Sequence, residues 1–360
     1  MTDTVPPATT ADPALSAGST RDDVRQGRVL RLGTRRSALA TTQSGWVADL
    51  LRQGGHTVEL VEVVTEGDVN HAPLTQIGGT GVFASALRQA LRAGEVDLAV
   101  HSLKDLPVLP EPGLLVAAVP TREDPRDVLV ARDGLTLADL PAGSRIGTGS
   151  PRRAAQLAAH RPDLHVEPIR GNVGSRIRRV TDGDLDAVVL AGAGMRRLGR
   201  HAEITDILPT DIMLPAPGQG ALAVECRESD PEVVAVLAAL EDTATRTAVT
   251  AERAMLRALE AGCTAPVGAL ATIDEDDRLT LSAFAGSDDA AIALRRSATG
   301  DASAPEDLGV ALAEELLAAG ADRIPASLLA RTPERTRSPE HSGGHPHSPN
   351  DVGAPKEQKP

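Results

Sequence analysis

Short apolar runs alternate with amphipathic segments along most of the chain. Eight runs have the length and β-branched content of buried strands. Segments with helical spacing of apolar residues, such as "ASALRQALRAG" and "PRRAAQLAAH", lie between them. This alternation favours α/β units with mostly parallel sheets. The predicted strands are VLRLGT, TVELVEVVT, VDLAVHSL, LLVAAV, DVLVA, SRIGTG, LDAVVLA and ALAVEC.

Two segments interrupt this alternation and predict crossings between two lobes: residues 119–127, with two prolines, and residues 214–220, with two prolines and two glycines. Ligands commonly bind in the cleft between such lobes. After the second crossing, a strong helix, a predicted hairpin ("PVGALATI" and "LTLSAFAG") and another helix near 305–319 indicate a small third α/β domain. The predicted division is domain 1, 28–121 and 216–241; domain 2, 122–215; domain 3, 242–330; and disordered tails, 1–27 and 331–360.

The composition narrows the class of protein. With one Trp, two Phe and no Tyr, the cores must consist of Leu, Val, Ala and Ile. A net charge of −13 argues against general nucleic-acid binding, and no apolar run approaches the ~20 residues of a membrane helix. The N-terminus lacks the pattern of a secretory signal, and two cysteines are too few for a disulfide framework. We therefore expect a soluble cytoplasmic protein with no metal site.

The turn "GTGSPRRAAQL" combines a helix start with two cations. Ser150 suits the N-cap and Pro151 the first helical position. Arg152 and Arg153 then lie in the first turn, where cations oppose the helix dipole, so a functional reason is expected. Free N–H groups beside two guanidinium groups would bind an anion well. The alternative is two solvated arginines.

Two further strand-to-helix turns, "IRGNVGSRIRRV" and "RLGTRRSALATTQ", have a similar composition. Together they predict a ligand with several carboxylates or phosphates. No nucleotide-binding glycine fingerprint occurs at the required place, so carboxylates are at least as well supported. The polar residues at these turns and after "LDAVVLA" are Thr34, Arg35, Ser37, Arg170, Asn172, Ser175, Arg176 and Arg197.

The two cysteines and one lysine are further candidates to weigh. Cys263 follows a helix that ends at Gly262, and a loop thiol is open to chemistry, as a nucleophile, an attachment point or an ordinary thiol. Cys226 lies in a strand and is typical of a buried residue. Lys104, in "HSLKDLP", is the only lysine among the first 355 residues. Strand alternation would point Lys104 and Asp105 to opposite sides unless the chain turns before Pro107.

Seven motifs occur in one order: LGTRRSALA, GGTGVF, HSLKDLP, GTGSPRR, RGNVGSR, PAPGQGALAVECR and AERAMLRALEAGC. In this order they resemble the hydroxymethylbilane synthase family, also called porphobilinogen deaminase, over residues 29–325. The resemblance implies a monomeric three-domain transferase of tetrapyrrole (heme) biosynthesis. Its first two lobes would resemble periplasmic binding proteins.

The resemblance also implies the chemistry. The family joins four porphobilinogens head to tail with loss of ammonia, and hydrolysis then releases linear hydroxymethylbilane. A dipyrromethane cofactor would be attached to Cys263 through a thioether, and Asp105 would be the catalytic carboxylate. The implied cofactor-binding residues are Lys104, Arg152, Arg153, Ser150, Thr148, Arg176, Ser37 and Gln219, and the implied substrate-binding residues are Arg35, Arg170, Arg197 and Phe83.

These roles agree with the residue types. Each pyrrole brings an acetate and a propionate, which suit guanidinium groups. Loss of ammonia leaves a cationic azafulvene, so Asp105 can donate a proton to the leaving amine and then stabilise the positive charge. Phe83 fits either packing on a pyrrole face or filling the core.

Two positions depart from the family pattern. Gln76 and Thr80 stand where members of the family often have lysine, which puts carboxylate binding by the glycine loop in doubt.

One alternative function is a two-lobed receptor for a small dicarboxylate, and another is an inactive paralogue. Asp105, Cys263 and the third domain favour the enzyme, since a simple receptor needs none of them.

Overall fold

The computed structural model describes residues 28–64, 82–261, 265–287 and 290–324. These residues form two five-stranded sheets and one three-stranded sheet. All eight strands predicted from the apolar runs are present. The domain boundaries given above stay a prediction.

Lobe 1 is the first sheet with the helices that cover it. Its elements are β1 (Leu30–Thr34), β2 (Val58–Glu62), β3 (Leu98–Ser102), β4 (Leu114–Ala118), β10 (Leu222–Arg227), α1 (Ala38–Gln53), α2 (Val82–Arg92) and α6 (Pro231–Leu237). The strand order is β2-β1-β3-β10-β4. Strand β1 pairs in parallel with β2 and β3, whereas β10 runs antiparallel to β3 and β4.

Lobe 2 repeats this plan. Its elements are β5 (Asp127–Ala131), β6 (Arg145–Thr148), β7 (His165–Pro168), β8 (Ala187–Ala191), β9 (Asp206–Ile207), α3 (Pro151–His160), α4 (Val173–Thr181) and α5 (Gly192–Arg197). The strand order is β7-β6-β8-β5-β9, with β6 parallel to β7 and β8 and with β5 antiparallel to β8 and β9. The expectation of mostly parallel sheets is therefore wrong for β5 and β10. Each enters its sheet from a crossing segment, so no helical crossover fixes its direction.

The C-terminal domain is an antiparallel meander covered by two helices. It consists of α7 (Thr243–Ala258), β11 (Val267–Ile273), β12 (Arg278–Gly286), β13 (Ala293–Asp301) and α8 (Pro305–Ala318). The predicted hairpin is confirmed as β11 and β12, and β13 is an additional strand. Gly309 lets α8 approach α7 closely, because a Cβ there would lie 2.4 Å from the carbonyl oxygen of Ala251.

One buried carboxylate joins the C-terminal domain to both crossing segments. Glu252, on α7, accepts hydrogen bonds from the guanidinium of Arg122 at 2.7 and 3.1 Å. It also accepts from the backbone N–H of Gly218 at 2.6 Å and of Ala271 at 2.9 Å. Arg122 lies in the first crossing segment and Gly218 in the second. Glu252 therefore fixes α7 to both segments that connect the two lobes.

Candidate active site

A cavity lies between the two lobes, where the C-terminal ends of the parallel strands meet the helix starts. Its lining includes aliphatic residues of both lobes and the second crossing. Four cations face it, and none of the described lining residues is acidic. The charged and amide side chains of the lining are Gln43, Lys104, Arg153, Arg176, Arg197 and Gln219.

Ser150 occupies the predicted N-cap position before α3, although its side chain makes no capping hydrogen bond. Ser150 is the N-cap, Pro151 begins the helix, and the N–H of Ser150 donates to Thr148 Oγ1 at 3.2 Å. Arg152 and Arg153 are 2% and 5% exposed, so the alternative of two solvated arginines is wrong.

Both arginines bind one carboxylate that the sequence analysis did not single out. Arg152 Nη1 lies 2.7 Å from Asp127 Oδ2, and Arg153 Nη2 lies 2.8 Å from Asp127 Oδ1. Burial alone would raise the pKa of Asp127, but the two guanidinium charges outweigh burial and hold the pKa well below its usual range. Arg152 also donates to the carbonyl oxygen of Leu214 at 2.6 Å, and Arg153 alone of the pair lines the cavity.

Gln219 connects this buried pair to Lys104. Its Nε2 donates to Asp127 Oδ1 at 2.8 Å and to the carbonyl oxygen of Pro125 at 2.7 Å. Its Oε1 accepts a hydrogen bond from Lys104 Nζ at 3.3 Å. Desolvation lowers the pKa of Lys104, although Asp105 acts in the opposite direction. Lys104 therefore lies at the rim of a cationic network, and an anionic ligand would stabilise its charged form.

The chain turns at "HSLKDLP", as the proline suggested. Residues Leu103–Asp105 form a single 3-10 turn directly after β3. Lys104 faces the cavity, whereas Asp105 is exposed. The two neighbours are thus available to different parts of a ligand.

Arg176 and Arg197 face the cavity without a carboxylate partner among the described residues. Asn172 caps α4 by accepting from the N–H of Ser175 at 2.9 Å, which places Arg176 in the first turn of the helix. Arg176 Nε donates to the carbonyl oxygen of Gly171 at 2.9 Å, and Arg197 Nη2 donates to that of Gly220 at 2.7 Å. Burial lowers the pKa of both guanidinium groups. A partly buried cation without a counterion loses hydration that nothing replaces, so this arrangement favours an anionic ligand.

Ser37, Arg35 and Arg170 are predicted site residues that do not belong to the described lining of the cavity. Ser37 caps α1 by accepting from the N–H of Ala40 at 3.3 Å, and Arg35 precedes it in the same turn. Arg170 is exposed and follows β7. Their carboxylate-binding roles stay predictions.

Several predicted residues fall outside the described part of the chain. These are Gln76, Thr80 and Cys263, and of Phe83 only the backbone is described. The residues that flank Cys263 in the described ranges, Ala261 and Ala265, are both buried.

Cys226 is a buried thiol in β10, as its strand position indicated. Burial raises the pKa of the Cys226 thiol to about 11, so it is protonated and inert at neutral pH.

Within the described ranges, no cluster of His, Cys, Asp and Glu could hold a metal ion. The helices in those ranges include none that is long and apolar enough to cross a membrane.

Two α/β lobes around a cavity whose described lining bears four cations and no acid define a protein suited to a small anionic ligand. Residues 30–235 match the family described as "Porphobilinogen deaminase, dipyromethane cofactor binding domain". Residues 246–318 match "Porphobilinogen deaminase, C-terminal domain". The chain belongs to the porphobilinogen deaminase family.

Relatives of known name are similar over most of their length. A porphobilinogen deaminase of Nocardia farcinica is 54% identical over 315 residues, which cover 85% of this chain and 91% of that protein. Porphobilinogen deaminase 1 of Streptomyces coelicolor is 55% identical and covers 82% of this chain and 96% of the relative. A porphobilinogen deaminase of Mycobacterium tuberculosis is 54% identical, with 82% and 98% coverage.

Among solved structures, the methionine binding protein MetQ is 12% identical, with a TM-score of 0.37 over 59% of this chain and 89% of that one. A likeness of this extent carries no weight for function.

The cavity fits the dipyrromethane cofactor of the family. Lys104, Arg176 and Arg197 bring positive charge that no described carboxylate neutralises, and a dipyrromethane bears acetate and propionate side chains. Charge and ligand therefore complement each other. The resemblance stated from the sequence is confirmed at the level of the family and its cofactor.

Proposed function

We propose that this chain joins four porphobilinogen molecules head to tail, with loss of ammonia, and releases linear hydroxymethylbilane for tetrapyrrole synthesis. The observation that carries the proposal is the set of cavity cations without a described counterion, beside the turn that bears Asp105. Membership of the porphobilinogen deaminase family supports the same reaction.

Cys263 and the cavity cations would hold the cofactor. When bound through a thioether at Cys263, the dipyrromethane supplies the pyrrole end to which substrate is joined. Lys104, Arg176 and Arg197 would bind carboxylates, since each offers charge that is not shared with an acid among the described residues. Arg153 is paired with Asp127, so we expect it to orient a ligand carboxylate through hydrogen bonds and to add less net positive charge to the cavity than the unpaired cations do.

Asp105 would act on the substrate itself. In its protonated form it donates a proton as the carbon–nitrogen bond of porphobilinogen breaks and ammonia leaves. The resulting carboxylate then stabilises the positive charge on the substrate carbon until the new carbon–carbon bond forms. The ring proton that this bond displaces returns to the carboxylate, which restores Asp105 for the next addition.

A two-lobed receptor for a dicarboxylate is the competing function. It would use the same cavity cations but would have no need of a cysteine-linked group or of a domain fixed to the hinge by Glu252. We further propose a cytoplasmic monomer without nucleic-acid or membrane partners, in keeping with a net charge of −13.

Intact mass spectrometry of the full chain, made in a host that synthesises porphobilinogen, tests the cofactor claim. We expect a mass excess of one dipyrromethane, which Cys263→Ser abolishes and the matched control Cys226→Ser retains. An unmodified wild-type chain, or an excess that persists in Cys263→Ser, would refute the attachment.

Turnover of Asp105→Asn tests the catalytic role. The variant should keep the mass excess and lose most of its hydroxymethylbilane production, because the carboxamide cannot donate the proton. Near-normal production would remove Asp105 from the mechanism.

A further inference from the structure

Arg253 extends from α7 of the C-terminal domain to the turn that bears Lys104 and Asp105. Its Nη1 donates to the carbonyl oxygen of Leu103 at 3.2 Å and to that of Leu106 at 3.0 Å. Its Nη2 donates to the carbonyl oxygen of Pro107 at 2.6 Å. One guanidinium thus binds carbonyl groups on both sides of Asp105.

The same turn is also held by backbone hydrogen bonds within lobe 1. The N–H of Leu103 donates to the carbonyl oxygen of Ala221, just before β10, at 3.1 Å. The N–H of Leu106 closes the turn by donating to the carbonyl oxygen of Leu103 at 3.2 Å. Leu103 and Leu106 are buried, whereas Asp105 between them is exposed. The backbone of the turn is therefore fixed while its carboxylate stays accessible.

The residue type matters for this arrangement. A guanidinium has a planar fork of donors that can satisfy several carbonyl groups at once, whereas a lysine ammonium acts as a compact point charge on a flexible stem. Arg257, one turn further along α7, makes a different contact, an ion pair with Glu306 at 3.1 Å in which both side chains are largely exposed. The two arginines share a helix but not a function.

We propose that Arg253 is a positioning residue, through which the C-terminal domain holds the turn of Asp105 in its catalytic orientation. The proposal rests on the function proposed above for Asp105. Helix α7 ends at Ala258, five positions before Cys263 in the sequence, so Arg253 links the domain that carries the attachment point to the catalytic carboxylate. A displacement of about 1 Å at a reacting group can cost on the order of 100-fold in rate.

Steady-state kinetics of Arg253→Met, Arg253→Lys and the control Arg257→Met test this. We expect kcat of Arg253→Met to fall about 10- to 100-fold with KM for porphobilinogen within about twofold, because Asp105 is displaced and the carboxylate-binding cations are not. Arg253→Lys should show a smaller fall, and Arg257→Met should match the wild-type enzyme. Intact mass should still show one dipyrromethane in all three variants.

Hydrogen exchange provides a readout independent of turnover. In Arg253→Met the amide of Leu106 should exchange faster than in the wild-type chain, while the amides of β1 and β3 keep their protection. A kcat equal to that of Arg257→Met, or unchanged exchange at Leu106, would overturn the proposal. If Arg253→Met does not fold, Arg253→Lys decides, and wild-type kcat in it is the overturning result.

The failure of the proposed function would look different. In that case the wild-type chain makes no hydroxymethylbilane, or Asp105→Asn makes as much as the wild-type chain, whatever Arg253→Met does to the exchange of the turn. A wild-type kcat in Arg253→Met together with an inactive Asp105→Asn would overturn only the positioning role.

Discussion

Two turns of lobe 2 look alike in sequence and differ in electrostatics. In the first turn of α3, Arg152 and Arg153 are buried and share the carboxylate of Asp127. At the start of α4, Arg176 donates to a backbone carbonyl and has no carboxylate partner among the described residues. In the first turn Asp127 balances one of the two positive charges and both guanidinium groups are held by partners within the protein, while the second turn offers a ligand a cation without a described acidic partner. Arginine motifs that look similar in sequence can thus stabilise the fold in one turn and be available to a ligand in another.

The largest expected effect is that of Asp127→Asn. Both guanidinium groups would stay buried without their counterion, so the free energy of unfolding should fall by about 3–5 kcal/mol. Urea denaturation measures this, with Asp163→Asn as the control, because the Asp163 pair with Arg161 lies at the surface and should contribute little. A loss no greater than that of the control would show that the buried pair adds no stability.

Arg176→Gln should have the opposite profile. It removes a partly buried cation with no acidic partner among the described residues, so the melting temperature should stay the same or rise slightly. By intact mass, the share of chains that carry the dipyrromethane should fall, because one charge-assisted hydrogen bond to a cofactor carboxylate, about tenfold in affinity, is lost. Arg178→Gln, on the exposed face of the same helix, is the control and should change neither quantity. An unaltered share in Arg176→Gln would mean that the charge of this turn is not used by the cofactor.

The smallest effect concerns pH. The pKa of Asp127 is depressed in the folded chain, so its unfolded carboxyl, with a pKa of about 3.9, binds a proton first as pH falls. The stabilisation by Asp127 is thus complete at neutral pH and is lost progressively below about pH 4. The difference in unfolding free energy between the wild-type chain and Asp127→Asn should shrink between about pH 5 and pH 2. A difference that is constant over this range would contradict the assigned pKa direction.

The apolar pattern predicted the fold well wherever a strand is buried on both faces. It failed for β13, where the consecutive Arg295 and Arg296 break any apolar alternation and every position is partly or fully exposed. It also missed the short polar edge strand β7. The direction of β5 and β10 could not be predicted, because it depends on how the chain passes between the lobes and no local pattern records that path.

The candidate site likewise contains some residues that the sequence predicted and others that it could not predict. Lys104 and Arg176 were found because they lie in distinctive local motifs. Asp127 did carry a signal, an acid at the start of an apolar strand, which is typical of a buried and paired charge. Arg253 had none, since arginine is common in this chain and the three carbonyl groups that it binds are 146 to 150 positions away in the sequence.

The position of β10 has a consequence for how the chain is made. In lobe 1, β10 lies between β3 and β4, which are joined in the sheet only through it. All strands of lobe 2 are synthesised before β10, so the second lobe in the sequence is the first to have its complete sheet outside the ribosome. Lobe 1 must wait with β4 unpaired until residues 222–227 emerge. During translation we therefore expect lobe 2 to complete its sheet before lobe 1, the reverse of the usual order from the N-terminus onward.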